Sequence, residues 1–141
     1  MALTSVRRAS GSREAGDAAA VDYLARVQEI APALAAAADE IDRRRELPEA
    51  IVEALIERGL FRLLLPHSLD GAELLPAQYI PIIEAVAKID ASTAWCLNQN
   101  SGCSMTAALV APEIAREIFG GPHGILAWGP GPGEARVAPS G

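Results

Sequence analysis

Apolar positions set the first element. Leu24, Val27, Ala31, Leu34, Ala38 and Ile41 recur at alternating steps of three and four. That spacing lays one apolar stripe along a helix from about Asp17 to Arg44. Pro32 falls inside the stripe and lacks the N–H that would bond four residues back, so a kink or a second helix start is expected there. Pro48 suits a first helical position and opens a second helix. Its inward face would carry Ile51, Val52, Leu55 and Ile56, with Glu49, Glu53 and Glu57 opposite. Gly59 is the natural stop, because it tolerates positive φ.

Leu60 to Pro66 is apolar but too short for a helix between Gly59 and Pro66, and reads as a buried extended connector. His67 to Pro76, with Asp70-Gly71, reads as a loop. A third helix runs from Pro76 or Ile80 to Ile89, with Ile80, Ile83, Val86 and Ala87 inward and an exposed Glu84–Lys88 pair. Asp90 or Ser92 can cap a fourth helix over about 91–110. A short fifth helix spans Pro112 to Phe119 and ends at Gly120-Gly121. Ile125-Leu126-Ala127-Trp128 then reads as a first strand whose pairing partner is missing. A Gly-Pro run, residues 129–133, follows. The expected class is all-α, about five helices. The expected division is a disordered tail over 1–20, a helical domain over 21–122, and the start of a truncated β domain over 123–141.

The fourth helix stands out. No charge occurs from Ala91 to Val110, yet Asn98-Gln99-Asn100-Ser101 wraps a full turn in polar groups. A charge-free helix with small polar residues belongs inside a protein, where those groups need partners. Its positions fall into two sets. Trp95, Gly102, Thr106 and Leu109 read as core packing around a large ring. Thr93, Leu97, Asn100, Ser101, Ser104 and Ala108 read as a hydroxyl-rich surface, either satisfied internally or lining a cavity.

Composition narrows the function classes. The 141 residues are 50% hydrophobic, 4% aromatic and 21% charged, with formal net charge −6. Few aromatics and many alanines favour helix. A net negative chain has no nucleic-acid footprint, and Arg43-Arg44-Arg45, flanked by Asp42 and Glu46, reads as a solvated helix end. No apolar run reaches the roughly 18 residues of a membrane span. The N-terminal stretch lacks the features of a secretory signal, so a cytoplasmic protein is expected. Cys96 and Cys103 would stand about 10 Å apart along one helix, too far for a disulfide. No HExxH, CxxC or phosphate-cradling loop occurs, so no metal and no catalytic residue is assigned. His67 and His123 read as surface residues.

A series of motifs then aligns. Leu47-Pro48, Gly59-Leu60-Phe61-Arg62-Leu63, Pro66, Asp70-Gly71-Ala72-Glu73-Leu74 and Ala87-Lys88-Ile89-Asp90-Ala91-Ser92-Thr93-Ala94-Trp95 follow one another. Their order and spacing resemble the N-terminal helical domain of the acyl-CoA dehydrogenase superfamily. Ser92-Thr93-Ala94-Trp95 and Ala127-Trp128-Gly129-Pro130 look closer to its flavin-dependent monooxygenase branch. The dehydrogenase branch usually has a hydroxyl residue and a glutamate near Trp128 and Gly129, and their absence speaks against thioester dehydrogenation. Asp70-Gly71 also shows one glycine where the family often has two.

The resemblance implies a helical front domain, a central β domain and a C-terminal four-helix bundle, with flavin between them. It implies FAD or FMN in the complete enzyme, a small-molecule substrate such as a phenol or sulfur heterocycle, a homotetramer, and a partner flavin reductase. Trp128 and Gly129 would approach the flavin ring. Leu97, Asn100, Ser101 and Ser104 would line the substrate side, with no proton-transfer role. The chain alone would be inactive. The alternatives are an acyl-CoA dehydrogenase fragment acting on CH–CH groups and a non-catalytic helical module.

Overall fold

The structure, a computed structural model, describes the backbone of residues 3–129 and Gly133 and the side chains of residues 22–129. Among these residues the architecture is all-α. It comprises α1 (Leu3–Arg44), α2 (Glu49–Glu57), α3 (Pro76–Ala87), α4 (Ala91–Ser104) and α5 (Pro112–Phe119). Short 3₁₀ turns lie at Leu60–Arg62, His67–Leu69 and Met105–Ala108.

Helix α1 is longer than its stripe. It begins at Leu3 and so passes through the segment read from sequence as a disordered tail. Alanine-rich sequence without a proline before Pro32 supports that continuation. Nor does Pro32 start a new helix. It lies on the exposed side of α1, so the bond it removes faces water, while Ile30 and Leu34 stay buried around it.

Val27, Ile30, Leu34 and Ile41 of α1 pack with Ile51 and Leu55 of α2, Tyr79, Ile82 and Val86 of α3, and Ala94 and Leu97 of α4. Each fully buried leucine or isoleucine here contributes roughly 2 kcal/mol. The order in space is α1 against α3 and α3 against α4, with α2 on α1. A smaller cluster of Leu65, Leu69, Ala107, Ala115 and Phe119 seats α5.

Two sequence expectations shift here. Leu60–Arg62 is a 3₁₀ turn rather than an extended connector, although Leu60, Phe61, Leu63 and Leu65 are buried as expected. Gly59 enters it at φ 67°. In α3 the inward face is Tyr79, Ile82 and Val86, whereas Ile80 and Ala87 are exposed. This helix is apolar nearly all round, so its stripe has no polar side to fix the rotation. The Glu84–Lys88 pair forms as expected, at 3.9 Å.

The segment 125–128 has no strand pairing among the described residues; Ile125 packs on the main core. Of the Gly-Pro run only Gly129 and Gly133 are described. No helix is long and apolar enough to cross a membrane among the described residues.

Candidate functional site

Helix α4 begins where Asp90 turns back on it. The Thr93 N–H donates to Asp90 Oδ1 at 2.6 Å, satisfying one of the first-turn donors. From there α4 runs to Ser104, and a tighter 3₁₀ turn carries the chain to Ala108. Ser104 Oγ donates to the Ser101 carbonyl and Thr106 Oγ1 to the Cys103 carbonyl, both at 2.7 Å. Those bonds draw on carbonyls at the end of α4, where intrahelical donors run out.

The two faces of α4 are inverted relative to the sequence reading. Trp95 is 64% exposed and Leu109 84% exposed, with Gly102 and Thr106 also outside. They are therefore no core. Thr93, Leu97, Asn100, Ser101 and Ser104 are buried against the rest of the bundle. The proposed substrate-contact set of Leu97, Asn100, Ser101 and Ser104 thus points inward, and only Ala108 of the hydroxyl-rich set is outside. The inversion has a physical cause. The small hydroxyl-bearing side allows close approach to α3, and a tryptophan would not fit there.

A polar contact joins buried Tyr79 of α3 to exposed Asn98 of α4. Tyr79 donates its hydroxyl to Asn98 Oδ1 at 3.1 Å. Burial pushes the Tyr79 pKa up, and the nearby Ser101 hydroxyl partly offsets this. Ser101 Oγ and Thr93 Oγ1 are themselves buried without a hydrogen-bond partner. Cys96 is also raised, first by burial and then by the charge of Asp90.

The outward side carries Trp95, Asn98, Gly102, Met105, Thr106 and Leu109, with no charged residue from Ala91 to Val110. Trp128 and Gly129, the expected flavin-contact pair, are both exposed, Trp128 at 73%. Neither has a phosphate-binding arginine or lysine beside it in sequence. A further groove of about 330 Å³ lies between the His67–Leu69 turn, the Met105–Ala108 turn and α5. It is lined mainly by Leu69, Ala107, Val110 and Ala115, with Arg116 and Ser68 as its polar groups.

Chemistry-bearing residues elsewhere are tied into structure. His67 Nδ1 donates to the Gly71 carbonyl at 2.8 Å, and the His67 backbone N–H donates to Glu73 Oε2. His123 Nε2 meets the Glu53 carboxylate at 3.2 Å in an exposed pair. No cluster of three His, Cys, Asp or Glu side chains could hold a metal among the described residues. Sequence reasoning missed Arg62. Its guanidinium donates to the Phe119 and Gly121 carbonyls at 3.1 and 3.0 Å, and also to the Leu69 carbonyl. It thereby holds the end of α5 and the start of the segment leading to Trp128. A lone arginine before a leucine run gave no signal of this.

Residues 20–118 match the family model described as acyl-CoA dehydrogenase, N-terminal domain. The chain belongs to that family. The resemblance read from Leu47-Pro48 through Trp95 is thereby confirmed. Among relatives, indole-3-acetate monooxygenase of Pseudomonas putida is 32% identical over 103 residues, covering 72% of this chain and 26% of that protein. The p-hydroxyphenylacetate 3-hydroxylase oxygenase component of Acinetobacter baumannii is 27% identical over 103 residues, covering 73% of this chain and 24% of that one. Among solved structures, XiaF from a Streptomyces species, in complex with FADH2 and glycerol, superposes with a TM-score of 0.74 at 24% identity, over 78% of this chain and 28% of that one. The 3-HSA hydroxylase from Rhodococcus sp. RHA1 gives a TM-score of 0.66 at 25% identity, over 70% of this chain and 26% of that one. The chain spans about a quarter of the length of these relatives.

Proposed function

We propose that this chain forms one wall of the active cavity of a flavin-dependent monooxygenase, with the outer side of α4 turned to the ligand. The observation that carries this reading is the outward placement of Trp95, Asn98, Gly102, Met105 and Thr106 on a helix without charge. A neutral, partly aromatic surface suits a flat ring with a few hydrogen-bonding groups. The names of the relatives support the oxygenase branch over thioester dehydrogenation.

Bound reduced flavin would supply the oxygen chemistry; the protein's part is to position and to exclude water. Trp128 and Gly129 fit contact with the isoalloxazine ring, one offering a π-face and the other close backbone approach. They offer nothing to grip a phosphate, so the remaining flavin contacts fall to the other three quarters of the enzyme. Leu97, Asn100, Ser101 and Ser104 act one layer behind the surface. They set how deeply α4 seats on α3, and so where Trp95 and Asn98 stand. The reading includes a phenol-like or heteroaromatic substrate, FAD or FMN delivered reduced by a partner reductase, a homotetramer, and a cytoplasmic location. It also divides the chain into a helical domain to residue 122 and the first residues of a β domain after it.

A chimera tests it. Residues 20–129 replace the matching segment of the P. putida relative, and substrate-dependent oxygen uptake is measured with reduced flavin supplied. Trp95→Ala should raise KM about three- to tenfold, the worth of one aromatic contact. Because the ring is mostly exposed, it should cost the isolated chain less than about 1 kcal/mol of stability. Unchanged KM and kcat in that variant would remove α4 from the cavity.

A further inference from the structure

Gly102 is the one glycine in α2 to α5. A helix-interior glycine is unfavourable relative to alanine, because it leaves the unfolded chain more freedom to lose. Where this fold requires glycine, the reason is visible. Gly59 has positive φ, and a Cβ on Gly71 would meet the Leu65 carbonyl oxygen at 1.9 Å. Gly102 has neither reason. Its φ is not positive, and a Cβ built there meets nothing within 4 Å.

The position is the centre of the exposed α4 surface. Helix geometry puts Asn98 and Gln99 one turn before it, Met105 and Thr106 one turn after, and Trp95 two turns before. Trp95 and Met105 are 64% and 56% exposed, so large apolar groups stand at both ends of a bare stretch of backbone. Asn98 is held through Oδ1 by Tyr79, which leaves its amide nitrogen as the donor side. The result is an open stretch of backbone with apolar ends, a polar edge and no charge.

We propose that Gly102 is the point of closest approach for a flat, uncharged aromatic ring on α4, and that its missing side chain sets the ring size the cavity accepts. This rests on the reading of α4 as a cavity wall, and deepens it by naming the residue that determines fit. The ring lies against the Gly102 backbone between Trp95 and Met105. Any side chain at 102 lifts it away.

The test exploits effects of opposite sign. In the ¹⁵N-labelled 141-residue chain, Gly102→Ala should raise Tm by about 2–5 °C, since the helix gains and nothing clashes. Titration with indole should shift the Trp95 indole N–H and the amides of residues 98–106 in the wild-type chain. Gly102→Ala should weaken that binding at least about fivefold, equivalent to roughly 1 kcal/mol. Indole shifts that are absent, that are equal in Gly102→Ala, or that spread evenly over Ile114, Ile118 and Leu126 would overturn the proposal. If Gly102→Ala binds indole like wild type while the chimera still depends on Trp95, only this inference falls. If indole binds at Gly102 but the chimera ignores Trp95, the cavity-wall reading falls.

Discussion

Single residues in this chain are constrained by very different forces. Gly71 follows Asp70, which takes a left-handed conformation at φ 59°, and sits where an added Cβ would overlap backbone. That crowding arises because the 66–74 loop folds back on itself, with the Glu73 N–H donating to the Leu65 carbonyl at 3.0 Å. Backbone cannot move aside as a side chain can. Gly71→Ala should therefore cost about 3 kcal/mol, measured by urea denaturation. Tyr79 and Cys96 give a pH signature instead. Both have pKa values raised by burial, Tyr79 from 10.0 and Cys96 from 9.0. A raised pKa means the unfolded chain releases its proton first, so stability is intact below the unfolded values and falls as pH rises past them. The urea midpoint should be level near neutrality and decline above about pH 9. Cys96→Ala should remove the earlier part of that decline and Tyr79→Phe the later part.

At the scale of elements, Arg62 links pieces far apart in sequence. It joins the turn after α2 to the His67–Leu69 turn and to the end of α5 through neutral carbonyls. Charge-assisted bonds of this kind contribute more than neutral ones, and their loss leaves carbonyls without a donor. Arg62→Met keeps the stem but removes the donors. It should lower stability by about 2–3 kcal/mol and raise amide exchange across 117–125 more than in α1. Uniform exchange across the chain would show the arginine to be only a general staple. None of this was legible in the sequence, because the acceptors are backbone and leave no residue signature. What was legible had local causes: the Asp90 cap, Gly59 at positive φ, and α5 bounded by Pro112 and Gly120. The rotation of α3 and α4 was not. Charged residues normally mark a helix's outer side, and α4 has none, so its two faces could be separated but not assigned inside or outside. Residue size then misled, placing Trp95 within and the small hydroxyl side at the surface. The sequence therefore singled out α4 without telling which of its sides faces outward.

At the scale of the whole molecule, several large apolar side chains face water among the described residues. Trp95, Met105 and Leu109 on one stretch, Ile114 and Ile118 on α5, and Leu126 and Trp128 beyond it are each exposed by more than a third. Large apolar groups clustered in this way mark surfaces meant to be covered. In relatives about four times longer, the rest of the protein is available to do so. Alone, this chain should self-associate, and its charge sets the conditions. A formal net charge of −6 makes copies repel at long range, while the apolar contact acts only at close range. Salt screens the first over about 10 Å at 0.1 M and leaves the second intact. Sedimentation velocity should thus show the weight-average mass rising with protein concentration, and rising further as salt is increased. Ionic contacts as the driving force would give the reverse salt dependence. Replacing Leu109 and Ile118 by serine should restore a monomer without loss of helix content, since neither side chain belongs to the buried clusters. A monomer at every salt concentration in the unaltered chain would mean these side chains cover one another, and that the outer side of α4 needs no partner.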